Sequence, residues 1–271
     1  MRSGIVISQG TSREFADAAV AAERAGWDAI FTFEVVWGQD AWMTLAAAAM
    51  VTERIRLGTM LTPLPRRRPW ELAGQVATLD VLSGGRAQLA VGMGALHPGW
   101  TAFEADEGRR VRAEKLDEGL AVYDGLMRGQ PFTYSGRHYS VTPTDVLVPP
   151  PPVQRPRVPV WVVGAYPSDR SLGRAARWDG LLAAYVGDEP DTEHGPDALA
   201  PVVARVRELR EAAGLPWEGY EVVAEGTTEP GGSVREWAEV GATFWVESDW
   251  AMGDDALDRH RARIAAGPPS G

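Results

Sequence analysis

Thr52-Glu53-Arg54-Ile55-Arg56-Leu57-Gly58-Thr59-Met60-Leu61-Thr62-Pro63 leads through Pro69, Leu72, Val76, Leu79 and Leu82 to Ser83-Gly84-Gly85-Arg86-Ala87-Gln88-Leu89-Ala90-Val91-Gly92-Met93-Gly94. Residues 54–61 form a short apolar run that stops at Thr62-Pro63, where proline lacks the N–H a central strand needs. Pro69 suits a first helical turn, and the four apolar residues after it recur at spacings of three and four, which predicts a helix with one buried stripe. Gly84 and Gly85 can take the left-handed conformation of a helix C-cap, and residues 87–91 resume an extended pattern. Strand, helix, strand predicts a parallel pair joined by a right-handed crossover.

The same rhythm extends in both directions. Residues 4–8 read as a strand, and Thr11 and Glu14 stand in capping-box relation before an alanine-rich helix that Gly26 closes. A strand over 28–33, a loop over 34–40 and a helix over 41–51 follow. After Gly94 a polar loop leads to a helix over 111–128 with Leu116, Leu120, Tyr123 and Met127 on one face. Residues 130–159 break the rhythm, with a hairpin turning at Ser135-Gly136 and an extended Pro149-Pro150-Pro151-Pro152 segment, and read as a surface excursion within one domain covering residues 1–271. Strands over 160–164, 180–184, 220–224 and 242–246 alternate with helices over 169–177, 199–213 and 255–266. Eight alternating units in 271 residues predict an α/β fold, a single (β/α)8 TIM barrel.

Composition narrows the function. A formal net charge of −10 disfavours nucleic acid or an anionic membrane as partner, because the summed field repels phosphate. With no cysteine there is no disulfide framework and no thiolate chemistry, and the four histidines lack metal-ligand spacing, so no metal is expected. The N-terminal apolar run is too short for a signal peptide and no later run approaches a membrane span, which points to the cytoplasm.

In such a barrel the C-terminal ends of the strands carry function. The residues there are Ser8, Glu34, Met60 to Thr62, Gly92 to Ala95, Gly164 to Pro167, Tyr185, Glu225 to Thr227 and Glu247 to Trp250. An apolar, aromatic rim with a few acids suits a planar ring system better than a sugar or a metal ion. Arg66-Arg67-Arg68 is the dense basic run of an acidic chain, and it follows strand three directly. It reads either as a solvated loop paired with acids or as the complement of an anionic group at the mouth. Arg86 reads as a turn tether, whereas Arg170 and Arg174 suit a phosphate or surface carboxylates.

Residues 52–59, 78–86 and 91–94, in that order and spacing, closely resemble the signature of the bacterial luciferase-like family of flavin- or deazaflavin-dependent oxidoreductases; residues 159–164 and 174–180 continue the likeness. The resemblance implies FMN or a deazaflavin (coenzyme F420) as cofactor, and monooxygenase or hydride-transfer chemistry on a small organic substrate. It further implies a separate reductase as partner and a homodimer. It places Thr59, Met60, Leu61 and Thr62 at a bulge under the ring, with a cis peptide expected at Thr59-Met60. Gly92, Met93 and Gly94 are expected beside the ring, and Gly164, Ala165, Tyr166 and Arg170 at the cofactor phosphate. Many deazaflavin-dependent relatives carry Asp-His after strand two, where this chain has Glu34-Val35; the acid is kept and the histidine is lost. Glu34 is therefore the candidate catalytic or ring-positioning acid, and His97 the nearest histidine by sequence. Two rivals remain, a barrel that binds a ring without turning it over and a hydrolase built on Glu34, Glu225 and Glu247.

Overall fold

The computed structural model describes residues 1–271 except 97, 147, 188–191, 193 and 252, so His97 lies outside the described residues. Eight parallel strands form the wall: β1 (Arg2–Val6), β2 (Ala29–Thr32), β3 (Arg56–Thr59, resuming as Thr62–Pro63), β4 (Ala87–Gly92), β5 (Val160–Tyr166), β6 (Gly180–Tyr185), β7 (Glu221–Gly226) and β8 (Phe244–Glu247). Each pairs with its neighbours in sequence order, and β1 also pairs with β8, Arg2 opposite Phe244, which closes the barrel. Outside it run α1 (Ser12–Ala25), α2 (Ala41–Ala49), α3 (Pro69–Ser83), α4 (Arg109–Arg128), α5 (Asp169–Ala175), α6 (Pro196–Ala212), α7 (Arg235–Glu239) and α8 (Ala256–Ala265).

Local chemistry sets these boundaries. Thr11 and Glu14 form the expected capping box, Asp40 caps α2 by accepting from Met43 N at 2.8 Å, Pro69 opens α3, and Gly84 ends it at φ +66°. The α3 stripe holds for Leu72, Val76 and Leu79, whereas Leu82, in the last turn, is 41% exposed. Arg86 is the tether expected, donating to Ile55 O at 2.7 Å and Thr52 O at 2.8 Å.

Residues 130–159 carry an antiparallel hairpin with Tyr134 opposite Val141. Glu118 on α4 accepts the N–H groups of Arg137, His138 and Tyr139, and buried Asp80 on α3 accepts from Gln154 N at 2.9 Å and Nε2 at 2.7 Å. Two carboxylates therefore pin the excursion to the helical layer.

The core has two shells. One lies between strands and helices and includes Ile5, Ile30, Leu57, Leu89, Val162 and Leu181. The other fills the barrel with Val6, Phe31, Met60, Ala90, Trp161, Leu182, Val223, Phe244 and Val246. Alternate residues along each strand divide between the shells, as a closed sheet requires. At the N-terminal end Trp161 packs against Phe244 with ring centroids 4.9 Å apart, and its Nε1 donates to Glu221 Oε2 at 2.6 Å. Glu221 also takes Arg2 and, at 3.1 Å, Arg56.

Candidate functional site

The site begins with an irregularity in β3. Leu57 and Gly58 pair with Ala87 and Gln88, an offset of 30, whereas Thr62 and Pro63 pair with Val91 and Gly92, an offset of 29. One extra residue is therefore inserted in β3 between Gly58 and Thr62, the signature of a β-bulge. A one-residue slip turns side chains to the other face of the sheet. Met60 and Leu61, successive residues, accordingly both pack with the inner shell, while Thr59 and Thr62 face each other outside it, Oγ1 to Oγ1 at 2.8 Å. The cis peptide is Met60-Leu61, one bond beyond the expected Thr59-Met60. Pro63, opposite Gly92, is the last residue of the resumed strand, as expected, and Leu64–Arg66 turn away from it.

Glu34 secures this bend from the helical side. Thr62 Oγ1 donates to Glu34 Oε1 at 2.9 Å, Trp42 Nε1 donates to the same oxygen, and Arg67 reaches Oε2 at 3.2 Å. Arg67 also donates to Gln75. The carboxylate side chain is 6% exposed. Burial pushes its pKa above the ordinary range, against the pull of Arg67 and of the hydrogen bonds from Trp42 and Thr62. Glu34 thus has protein donors on both oxygens and lies across the strand from the barrel axis.

On the axis side, strand alternation brings Ser8, Phe33, Leu61, Gly92, Ala165, Ala184, Glu225 and Ser248 to the mouth. Most are small, so the strand ends carry little side-chain bulk above the inner shell. A Cβ on Gly92 would stand 3.0 Å from Val163 Cγ2 and 3.1 Å from Leu61 Cδ2, so the missing side chain makes room for those two side chains against the β4 backbone. Trp250 stands on the rim, edge-on to Phe33 at 5.7 Å and donating from Nε1 to Glu225 Oε1 at 2.7 Å. This lining is apolar below and aromatic at the rim, a character that suits a planar ring system.

Gly94, at φ +77°, turns the chain out of β4 beside half-buried Met93. Its carbonyl accepts from Arg112 at 3.1 Å, and the Ala95 carbonyl accepts from Arg66 NH2 at 2.8 Å. Arg66 lies over the Trp100 ring, 3.7 Å from its centroid, and among the described residues its buried NH1 has no hydrogen-bond partner. Arg112 Nε, 3.1 Å from Asp106 Oδ1, is likewise buried and not aligned for a hydrogen bond. Burial and the adjacent Arg112 push the Arg66 guanidinium below its ordinary pKa. Both arginines line a cavity of about 500 Å³ shared with Trp100, Lys115 and Tyr139. Arg67 and Arg68 line it too but carry carboxylate partners, Glu34 and Glu71.

The segment after β5 differs from expectation. Gly164 clears space for α5, since a Cβ there would stand 2.5 Å from Leu181 Cδ1 and 3.1 Å from Leu172 Cδ2. The Ala165 N–H, expected at the phosphate, donates to Ser171 Oγ at 2.9 Å. Tyr166 is half-buried in the ladder opposite Tyr185. Arg170 is exposed, and buried Arg174 pairs with Asp117.

Sequence reasoning missed a histidine. His260 on α8 is 2% exposed, and its Nε2 lies 2.9 Å from Ser8 Oγ, at the end of β1. In the chain the two stand 252 residues apart. The stripe Ala256, His260, Ile264 at intervals of four was the available signal, an imidazole in an otherwise apolar face.

Comparison with known proteins gives this geometry a context. The family model of luciferase-like monooxygenases matches residues 2–266. An F420-dependent glucose-6-phosphate dehydrogenase of Beutenbergia cavernae is 33% identical over 200 residues, 69% of this chain and 57% of that protein. The oxygenase component of a flavin-dependent trigonelline monooxygenase of Acinetobacter baylyi is 28% identical over 163 residues, 56% of this chain and 42% of that one. The chain thus spans about half the length of these curated relatives. An F420-dependent secondary alcohol dehydrogenase, solved with an F420-acetone adduct, superposes with a TM-score of 0.76 at 17% identity, covering 98% of both chains. The chain belongs to the luciferase-like monooxygenase family.

Proposed function

We propose that residues 1–271 form one luciferase-like domain that binds FMN or coenzyme F420 at the C-terminal mouth of the barrel and uses it in oxidoreductase chemistry on a small organic substrate. The observation that carries this reading is the β3 bulge, which turns Met60 and Leu61 together toward the axis, Leu61 packed against Gly92. Leu61, Gly92, Met93 and Gly94 would hold the ring, Met60 would underlie Leu61, and Thr59, Thr62 and Glu34 would fix the bend. When bound, the ring supplies two-electron transfer or activation of oxygen. The chain's own residues orient it and exclude water from its lower face. Arg66 and Arg112 would hold an anionic group of the cofactor: among the described residues Arg66 has a buried N–H without a hydrogen-bond partner, and Arg112, ion-paired with Asp106, adds a second positive charge beside it. Arg170, exposed, is a weaker candidate for that group.

A rival reading, a barrel that binds the ring without turnover, draws support from Glu34, whose two oxygens are both engaged by protein donors. If oxygen is the co-substrate, reduced flavin has to come from a separate reductase. We infer a cytoplasmic homodimer: Met43 on α2, Met50 at its C-cap and Trp70 on α3 are 72%, 68% and 43% exposed, apolar groups that suit a second copy. Among the described residues no helix is long and apolar enough to cross a membrane.

The test is an absorbance spectrum of the purified protein and parallel titrations with FMN and F420. Binding of one ring in the micromolar range or tighter is expected. Failure of both to bind would refute the cofactor reading, and binding without reduction or oxidation of the ring by any substrate would favour the rival.

A further inference from the structure

The β1 strand sends Gly4 and Val6 toward the axis, and Ser8 stands two residues past its end, 7% exposed. Behind it, Ala256, His260 and Ile264 form the buried face of α8. An imidazole in a packing stripe costs desolvation of two ring nitrogens unless they are hydrogen-bonded. Here both donor groups of Ser8 converge on one nitrogen, Oγ at 2.9 Å and the backbone N–H at 3.4 Å from His260 Nε2. A backbone N–H can only donate, so Nε2 carries the lone pair and the ring proton sits on Nδ1. Ser8 Oγ also lies 3.2 Å from the Asp249 carbonyl, so the hydroxyl hydrogen has two acceptors between which to turn. The Asp249 carboxylate is engaged elsewhere, by Arg259 at 2.8 Å and by Ala251 N at 2.9 Å. Burial lowers the His260 pKa below 6.5, which keeps the imidazole neutral and able to accept a proton at neutral pH.

We propose that Ser8 and His260 are the proton-exchanging pair of this site, Ser8 Oγ meeting the oxygen of an alcohol or carbonyl substrate and His260 Nε2 acting through it. The inference rests on the cofactor reading above and supplies the proton partner that Glu34, braced on the far side of β3, does not. In the direction of oxidation the substrate C–H bond breaks and its hydride passes to an oxidised flavin or deazaflavin ring. The substrate O–H bond breaks as its proton moves to Ser8 Oγ, and the Ser8 proton moves to Nε2. A C=O bond forms, two electrons reside on the ring, and His260 becomes an imidazolium. Ser8 is the catalytic residue and His260 its positioning and proton-storing partner.

Three measurements test the pair. Histidine ¹⁵N NMR of the protein without cofactor, with His260 assigned by the signal lost in His260→Gln, should show Nε2 unprotonated and Nδ1 protonated; a proton on Nε2 overturns the proposal. Titration with FMN and F420 then separates the two readings, since a wild type that binds neither ring refutes the cofactor assignment itself. With the bound ring oxidised, decay of its absorbance is followed over a panel of primary and secondary alcohols. Ser8→Ala should lower kcat by about 100-fold or more while ring affinity stays within about twofold. Ser8→Thr, which keeps the hydroxyl, should retain most of the rate, and His260→Gln should lower kcat with little change in KM. A Ser8→Ala protein with wild-type kcat, or a ring-loaded wild type that no alcohol reduces, overturns the proposal.

Discussion

Thr62 Oγ1 donates a 2.9 Å hydrogen bond to Glu34 Oε1, tying the strand beyond the β3 bulge to the loop after β2. Because Trp42 Nε1 and Arg67 can only donate, a charged Glu34 accepts from all three neighbours, and Thr62 must then accept from Thr59. The carboxylate therefore orders the hydroxyl chain across the bend.

Glu34 should make stability depend on pH in an unusual sense for a carboxylate. Burial raises its folded pKa above 4.5, so the folded state binds the proton more tightly than the unfolded chain. The stability from this source is fully present below 4.5 and is lost as pH rises through the raised folded value. Glu34→Gln removes the titration. Urea unfolding of both proteins from about pH 4 to about pH 7 should show wild type losing stability relative to the variant. A pH-independent difference would refute the assignment.

Met60 and Leu61 should separate packing from binding. Met60 is 6% exposed among inner-shell residues, so Met60→Arg buries an unpaired charge and should cost about 4 kcal/mol or more. Leu61, half-buried at the mouth, should accept arginine with a Tm change of about 3 °C or less while losing ring affinity. Thermal unfolding and ring titration on both variants check this. A Leu61→Arg protein that binds the ring like wild type would remove Leu61 from the site.

The barrel was legible because each unit carries its own period: Leu116, Leu120, Tyr123 and Met127 mark a helix face and are all buried, and Thr11 with Glu14 forms the box its spacing predicts. The position of the bulge was less so. Met60 and Leu61 are both apolar, so either register satisfies the pattern, and only the strand offsets fix the extra residue. The five-residue α7 buries no side chain and offered no stripe. His260 escaped because its meeting with Ser8 depends on closing β1 against β8, a contact between the two ends of the chain.

Arg66 should contribute to cofactor affinity in a salt-dependent way. It has no carboxylate partner within 4.0 Å among the described residues, unlike Arg67 and Arg68. Arg66→Gln should weaken FMN or F420 binding by about tenfold at low ionic strength and less at high salt. Riboflavin, which has no phosphate, should bind variant and wild type equally. Equal FMN and F420 affinities in both proteins would return the run to a solvated loop.

Glu221 marks the opposite end of the barrel, and its removal should cost stability while sparing the site. It is 7% exposed and accepts from Trp161 Nε1 at 2.6 Å and from Arg56 at 3.1 Å, with Arg2 as a more exposed third partner. Arg2, with 43% of its side chain exposed, is screened by solvent and adds little. Most of the effect comes from Trp161, whose indole N–H would lose its acceptor inside the barrel, and from the Arg56 charge. Glu221→Ala should therefore lose about 3 kcal/mol, read as a fall in Tm of roughly 6–12 °C for a chain of this size. Ring affinity, measured well below the lowered Tm, should stay within about twofold, because the inner shell separates Glu221 from the mouth. Trp161, Phe31 and Phe244 fill that interval, with Trp161 to Phe31 centroids 5.6 Å apart. A parallel loss of ring affinity and stability would mean that this aromatic plug couples the two ends.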